Sequence, residues 1–223
     1  MAADVTITLR QTSLLGSIPE PDLVALAGVS RLRTVRKGQM VCTTGDPGDT
    51  LIVVITGRLR VVVRSADGGE LVLTQIGPGG VIGEVSVADD GPRSADVETI
   101  ENSSLLLIPR AAVQEACARV PAAAQALAIA IAGTLRRLTE ATSDLAFLDL
   151  PRRVAKLLLS YSTDAHGLIQ PQVTQGEIAR QVGGARQSVN AALRAFEKRG
   201  WIALSGRSLT LKEPGQLARF AGD

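Results

Sequence analysis

Thr174-Gln175-Gly176-Glu177-Ile178-Ala179-Arg180-Gln181-Val182-Gly183-Gly184-Ala185-Arg186-Gln187-Ser188-Val189-Asn190-Ala191-Ala192-Leu193-Arg194-Ala195-Phe196 is the most specific pattern in the chain. Thr174 with Glu177 three residues on is a capping box, in which each side chain satisfies a backbone N–H of the other residue. It sets a helix start at Thr174. Ile178, Ala179 and Val182 line the inner face of that helix, Gly183-Gly184 turn the chain, and Val189, Leu193 and Phe196 line a second helix. Two short helices joined by a glycine-containing turn make a helix-turn-helix. Downstream, Trp201–Leu204 and Ser208–Leu211 flank Ser205-Gly206-Arg207 and read as a two-stranded wing; upstream, Arg152–Tyr161 reads as a helix.

A second helix of this kind enters the DNA major groove with its N-terminal end leading. Its face opposite Val189 and Leu193 carries Arg186, Gln187 and Asn190. Arginine pairs bidentately with guanine O6 and N7, and Gln or Asn pairs with adenine. Ser188 and the helix start at Thr174 suit phosphate oxygens. Arg194, Lys198, Arg199 and Arg207 add unspecific attraction to phosphate or simple solubility. Double-stranded DNA is the expected partner.

Working back toward the N-terminus, residues from about Arg31 to Ile108 have the look of β structure. Leu51–Ile55, Leu59–Val63, Leu71–Ile76 and Ser104–Ile108 are short apolar runs. Glycine-bearing turns separate them at Lys37-Gly38, Gly45–Asp49, Thr56-Gly57, Asp67–Gly69 and Gly77–Gly80, the spacing of an antiparallel sandwich or barrel. Pro21–Val29 reads as a short helix before it. Ala111–Ala118 and Ala122 to about Leu148 are helical, with Pro121 suited to a first turn. In the longer helix Ala124, Ile131, Leu138 and Leu145 recur every seven residues, with Ala128, Leu135 and Thr142 as companions. That is the spacing of a coiled-coil seam; the alternative is a helix packed on its own domain. The expected class is therefore α+β: an antiparallel sandwich or barrel over 1–110, a helical segment over 111–149, and a winged helix-turn-helix over 150–223.

Charge divides along the same line. Residues 1–150 hold 13 Lys+Arg against 17 Asp+Glu, a net −4, and residues 151–223 hold 11 against 5, a net +6. The formal total of +2 hides an acidic front and a basic tail that faces something anionic. With 45% hydrophobic residues and so small a net charge, the chain is not disordered throughout. Val120–Gly133 is too short to cross a bilayer, and Met1–Arg10 has no apolar signal core. A cytoplasmic protein without membrane contact is expected. Cys42 and Cys117 form neither a disulfide framework nor a metal pattern, and His166 is the one histidine. No metal site is expected, and no Ser–His–Asp set or Gly-rich Lys-Ser/Thr phosphate loop supports an enzyme.

A second motif, Gly83-Glu84-Val85 followed by Pro92-Arg93-Ser94-Ala95, combines a close-approach glycine, a carboxylate and an arginine fork with a hydroxyl. Taken alone, such a stretch is usually just a strand with a surface salt bridge. With the helix-turn-helix and the Leu145-Ala146-Phe147-Leu148-Asp149 segment it resembles the phosphate-binding cassette, hinge and DNA-binding module of the cyclic-AMP receptor protein/FNR family, in order and over nearly the whole chain. The resemblance implies that 1–110 is an antiparallel β-roll, that 111–149 is a dimerisation helix with hinge, and that the whole is a homodimeric, ligand-responsive transcription factor that also meets RNA polymerase. By position, Gly83, Glu84 and Val85 belong to the cassette, Glu84 taking a ribose hydroxyl and Arg93 and Ser94 the cyclic phosphate of cAMP or another cyclic nucleotide. Leu138 and Thr139 occupy the positions of a Thr-Ser pair that contacts adenine from the two subunits. Leu138 lacks the hydroxyl, leaving a different ligand, or DNA binding without a cyclic nucleotide, as alternatives. Gln187 and Ala191 replace a Glu and a second Arg of the recognition helix, so a changed operator is expected. The cysteine cluster of the family's iron–sulfur branch is absent.

Overall fold

The computed structural model describes all residues except Met1, Ser13, Ala66, Asp67, Pro171, Gln172, Arg207 and Asp223. The expected turn residue Asp67 and the wing cation Arg207 therefore lie outside the described residues. Two compact units divide the chain: Met1–Arg64 with Leu73–Leu138, and Ser65–Val72 with Thr139–Asp223.

The first unit opens with two helices, α1 (Ala2–Arg10) and α2 (Glu20–Val29). Strands β1 (Arg31–Val35), β2 (Met40–Cys42), β3 (Thr50–Thr56), β4 (Leu59–Arg64), β5 (Glu70–Ile76) and β6 (Val81–Ile82) come next. A short helix α3 (Glu84–Asp89), β7 (Asp96–Thr99) and β8 (Ser103–Pro109) complete the roll. One sheet runs β1-β8-β3-β6 and the other β2-β7-β4-β5. The pairings of β8 with β1 and β3, of β3 with β6, and of β7 with β2 and β4 are antiparallel.

The uninterrupted apolar run in β3 follows from burial on both faces. Ile52 and Val54 join Val35, Val41, Leu59, Val97 and Leu105 in the interior between the sheets. Leu51 and Val53 point the other way, into a cluster with Leu9, Leu15, Leu23, Leu106 and Ile108 beneath the helices. Each fully buried Leu or Ile is worth about 1.5–3 kcal/mol, so this two-sided strand anchors the unit. Helix α4 (Arg110–Arg119) brings Val113 and Ala116 into the same cluster, and α5 (Pro121–Phe147) adds Ala123 and Ala126.

The α5 periodicity resolves into two faces. Ala123 and Ala126 pack inward, whereas Ala124, Ala128, Leu135, Leu138, Thr142 and Leu145 of the heptad series are exposed and Ile131 is half-buried. The first turns match the own-domain alternative; the seam positions face outward along the rest of the helix.

The second unit is built on α6 (Leu150–Ser160), whose N-cap Asp149 accepts a hydrogen bond from the Arg152 backbone N–H at 2.9 Å. Two short strands, β9 (Ser162–Thr163) and β10 (Ile169–Gln170), precede α7 (Gln175–Val182) and α8 (Arg186–Lys198). Strands β11 (Ile202–Ser205) and β12 (Ser208–Leu211) form the wing, and α9 (Pro214–Ala221) follows. Val154, Leu158, Ile178, Val182, Val189, Leu193, Phe196 and Leu217 form one core. Phe196, Trp201 and Phe220 meet with ring centroids 5.5–5.7 Å apart.

Sequence reading had not placed α1, α3, α9 or the shortest strands. All are short, and their apolar residues make too few repeats to show a period. His166 sits exposed in the turn between β9 and β10, its backbone N–H bonded to Asp164.

Candidate ligand pocket and nucleic-acid interface

The pocket begins with backbone geometry at Gly83. Its φ of +95° is a left-handed conformation, and a Cβ there would lie 2.1 Å from Arg93 Nη1 and 2.9 Å from the Thr50 carbonyl oxygen. Only glycine fits. The chain turns at Gly83 from β6 straight into α3, which sets Glu84 in the first helical turn. The Gly83–Val85 segment is thus a helix start, and the alternative of a strand with a surface salt bridge is corrected on both counts. Arg93 is only 5% exposed. Its Nη2 donates to the Thr50 carbonyl at 2.7 Å and the Thr50 hydroxyl at 2.9 Å.

Arg93 itself is held by its backbone. Its N–H donates to the Asp46 carbonyl, and its own carbonyl accepts from Gly45 N–H, both at 2.9 Å. Three residues on, Asp96 accepts from the Thr44 backbone N–H at 2.7 Å and the Thr44 hydroxyl at 2.9 Å, and pairs with Arg64. The Thr44 backbone N–H leads these contacts in holding the Asp96 carboxyl below the usual carboxylate range, against the opposite pull of burial. The result is a rigid strap carrying Arg93-Ser94-Ala95 along the cavity.

Among the described residues, Arg93 Nε and Nη1 are buried without a hydrogen-bond partner. A buried guanidinium with two idle donors is costly unless an anion completes it. The cavity it borders has a volume of about 200 Å³. Gly83, Glu84, Val85, Arg93, Ser94 and Leu138, all singled out from the sequence, line it together. Thr139, the remaining expected member, is not on its wall: it is exposed on α5, one residue beyond the first unit.

Further wall residues were missed, among them Cys42, Thr134 and Arg137. Thr134 donates its hydroxyl hydrogen to Glu84 Oε1 at 2.8 Å and accepts from Arg137 Nη2 at 2.8 Å. Thr134, Arg137 and Leu138 stand at i, i+3 and i+4 on one helix face. Starting from Leu138, that spacing was a usable signal. Cys42 gave none, because a lone cysteine in a strand reads as a small buried residue. Burial pushes its thiol up, opposed by the charge of Arg93. Among the described residues, no group of three or more His, Cys, Asp or Glu side chains is placed to hold a metal ion.

At the other candidate site the expected capping box is present. Thr174 accepts from the Glu177 backbone N–H at 3.2 Å, and Glu177 accepts from the Thr174 backbone N–H at 2.6 Å. Gly183 takes the left-handed conformation, φ +62°, and Gly184 N–H closes back on the Ala179 carbonyl at 3.0 Å, ending α7. A Cβ on Gly184 would stand 2.4 Å from Leu150 Cδ1, so the turn also fixes how closely α6 packs. On α8, Val189, Leu193 and Phe196 are buried, Arg186, Gln187 and Ser188 are exposed, and Asn190 is half-buried at its margin. The exposed Arg199 also stacks on the aromatic cluster: its guanidinium lies 4.8 Å over the Trp201 ring and 5.6 Å from that of Phe220.

Fold and site together define a class: a regulator that joins a nucleotide-type β-roll to a winged helix-turn-helix. Comparison with known families agrees. The family model of the cyclic nucleotide-binding domain matches residues 32–120, and that of the Crp-like helix-turn-helix domain matches residues 152–220. A CRP-like cAMP-activated global transcriptional regulator from Mycobacterium tuberculosis is 38% identical over 191 residues, covering 83% of this chain and 85% of that protein. The cyclic AMP receptor protein of Thermus thermophilus is 30% identical over 92% of this chain and 94% of its own. The structure of the c-di-GMP-responsive global regulator CLP from Xanthomonas campestris matches with a TM-score of 0.75 at 25% identity, over 86% of this chain and 99% of that one. The chain belongs to the CRP/FNR family of DNA-binding transcriptional regulators, which are not enzymes. Among the described residues, no helix is long and apolar enough to cross a membrane.

Proposed function

We propose that this protein is a cytoplasmic homodimeric regulator whose affinity for a two-fold symmetric operator is set by a cyclic nucleotide bound in the β-roll. The observation that carries this reading is Arg93, buried, held at one nitrogen by Thr50, with Nε and Nη1 idle beside the cavity that Glu84 and Ser94 also line. An anionic phosphate is the group such a cradle accepts. Arg93 and Ser94 take the cyclic phosphate, Glu84 a ribose hydroxyl, and Gly83 and Val85 shape the wall. Leu138, and Thr139 from the second subunit, lie toward the base.

The ligand named for the M. tuberculosis relative is cAMP and that for CLP is c-di-GMP, so a cyclic nucleotide is common ground while the base is not. Residues 1–110 act as sensor, 111–149 as dimerisation helix and hinge, and 150–223 as the DNA-binding domain. The outward row Ala124, Ala128, Leu135 and Leu145 supports pairing of two α5 helices. Dimerisation sets the two α8 helices to reach half-sites one DNA turn, about 34 Å, apart. Arg186, Gln187 and Asn190 read bases, Ser188 and the Thr174 helix start hold phosphates, and bound dimer recruits RNA polymerase.

Calorimetric titration with cAMP and cGMP, followed by operator binding with and without ligand, tests the reading. Binding at micromolar levels with a ligand-dependent operator affinity supports it. If neither nucleotide binds below millimolar concentration, this reading is wrong, and a different ligand or DNA binding without a cyclic nucleotide takes its place. Ala128→Glu, a charge in the exposed seam, should give a folded monomer by sedimentation with much reduced operator affinity. A stable dimer in that variant removes the seam.

A further inference from the structure

Glu84 and Arg93 explain a sugar and a phosphate but leave the base unread, and the wall supplied by α5 bears on it. Resting on the cyclic-nucleotide reading, we propose that Arg137 reads the acceptor edge of a 6-oxopurine, which makes the ligand a guanine rather than an adenine cyclic nucleotide.

The argument is an inventory of donors and acceptors. α5 brings Thr134, Arg137 and Leu138 to the cavity. The Thr134 hydroxyl has one hydrogen, and it is committed to Glu84 Oε1; its oxygen already accepts from Arg137. Leu138 offers nothing polar, and the neighbouring walls Val61, Leu73 and Ile76 are apolar. Arg137 has five N–H donors and no acceptor, with one nitrogen used on Thr134. What α5 presents to a base is therefore a donor.

Adenine carries an amino donor at position 6, which meets a guanidinium donor to donor. Guanine carries O6 beside N7, two adjacent acceptors that fit the guanidinium fork bidentately. A pairing of this kind discriminates between the two bases by about tenfold or more. Rival acceptors are Thr74 on the cavity wall, whose hydroxyl leans on the Gln75 carbonyl at 3.4 Å, and, on the proposed function, the Thr139 hydroxyl of the second subunit. If Thr74 governed the base, adenine would be accepted and Arg137 would be a bystander.

The test is calorimetric titration of the full chain, and of its Arg137→Met, Thr74→Val and Arg93→Met variants, with cGMP and cAMP. The expected wild-type result is cGMP bound about tenfold tighter than cAMP. Arg137→Met should close that gap by weakening cGMP alone, and Thr74→Val should leave the ratio unchanged. Arg137 is exposed, so its replacement should not move the melting temperature. A wild-type preference for cAMP overturns the inference while keeping the cyclic-nucleotide reading. Equal weakening of both ligands by Arg137→Met also overturns it, since Arg137 would then act on the ribose through Thr134 and Glu84. Failure of both nucleotides to bind the wild type, with no change on Arg93→Met, overturns the parent reading as well.

Discussion

Gly83→Ala is the smallest change that interrogates the pocket, one methyl group placed where the backbone and Arg93 leave no room. The new Cβ would stand 2.1 Å from Arg93 Nη1 and 2.9 Å from the Thr50 carbonyl oxygen. Both lie well short of the ~3.5 Å at which non-bonded heavy atoms rest. Thr50 O belongs to β3, whose next four residues, Leu51, Ile52, Val53 and Val54, are buried, so the strand will not give way. The guanidinium must move instead, and moving it breaks the bonds to Thr50 at 2.7 and 2.9 Å. Losing one charge-assisted hydrogen bond costs about 1.5–3 kcal/mol, and holding alanine at positive φ adds about 1–2 kcal/mol. The expected loss of stability by urea denaturation is therefore about 2.5–5 kcal/mol. A displaced Arg93 should also weaken nucleotide binding about tenfold to a hundredfold in calorimetry, because the donors no longer converge on the phosphate. If the variant kept full nucleotide affinity and lost less than about 0.5 kcal/mol, within the range of an indifferent surface change, the reasoning about Gly83 and Arg93 would be refuted.

Arg93→Met should abolish the nucleotide-dependent rise in melting temperature while leaving the ligand-free protein as stable as the wild type or more so, because a buried cation with two idle donors is replaced by an apolar chain; a ligand-free protein that melts well below the wild type would mean Arg93 is structural. Asp96 has its carboxyl pKa lowered in the folded state, so its contribution is present above the ordinary value of 3.8 and is lost as pH falls through the lower folded value. Asp96→Asn should therefore be destabilised by about 1–3 kcal/mol at pH 7, with the gap to wild type closing only in acid below pH 3.8 in urea titrations; a gap that already closes at pH 5 would contradict the assignment. Arg186→Ala should cost roughly 1–3 kcal/mol in operator affinity and relax selection at one base position per half-site, measured by binding to a randomised operator pool. Equal weakening on all sequences would make Arg186 a phosphate contact.

The parts of the fold legible in the sequence are those where local chemistry and tertiary need coincide. Thr174 and Glu177 cap α7 whatever surrounds them, and Gly183 ends it by a backbone requirement visible in one residue type. The strands around Leu51–Ile55 were legible as strands, but not their division into two cores, because a run buried on both faces has no alternation to read. Glu84, Arg93 and Ser94 were found as a spaced motif, whereas the contact that orders Glu84 comes from Thr134, fifty residues on. No local pattern joins those two positions. Thr139 was reached by counting along a helix, which fixes its position on α5 but not the wall it faces.

The same helix carries both the ligand side and the outward seam, and geometry decides how closely they are linked. Advancing about 100° per residue, α5 turns Thr134 and Arg137 toward the cavity while Ala128 and Leu135 point away from the unit's core. Leu138 belongs to both sets: it lines the cavity and stands in the heptad series with Ile131 and Leu145. A ligand that fills the cavity presses on Leu138, and on the proposed function Leu138 is also part of what a second α5 packs against. Packed apolar seams shift between discrete arrangements rather than deforming smoothly. In the proposed dimer a sub-ångström displacement there would suffice to favour one arrangement of the helix pair, with a coupling of the usual order of about 1–3 kcal/mol. A hydroxyl at this position would hold the base by a hydrogen bond; leucine offers contact alone, so on the proposed function the choice of base falls to Arg137 and the choice of helix packing to Leu138.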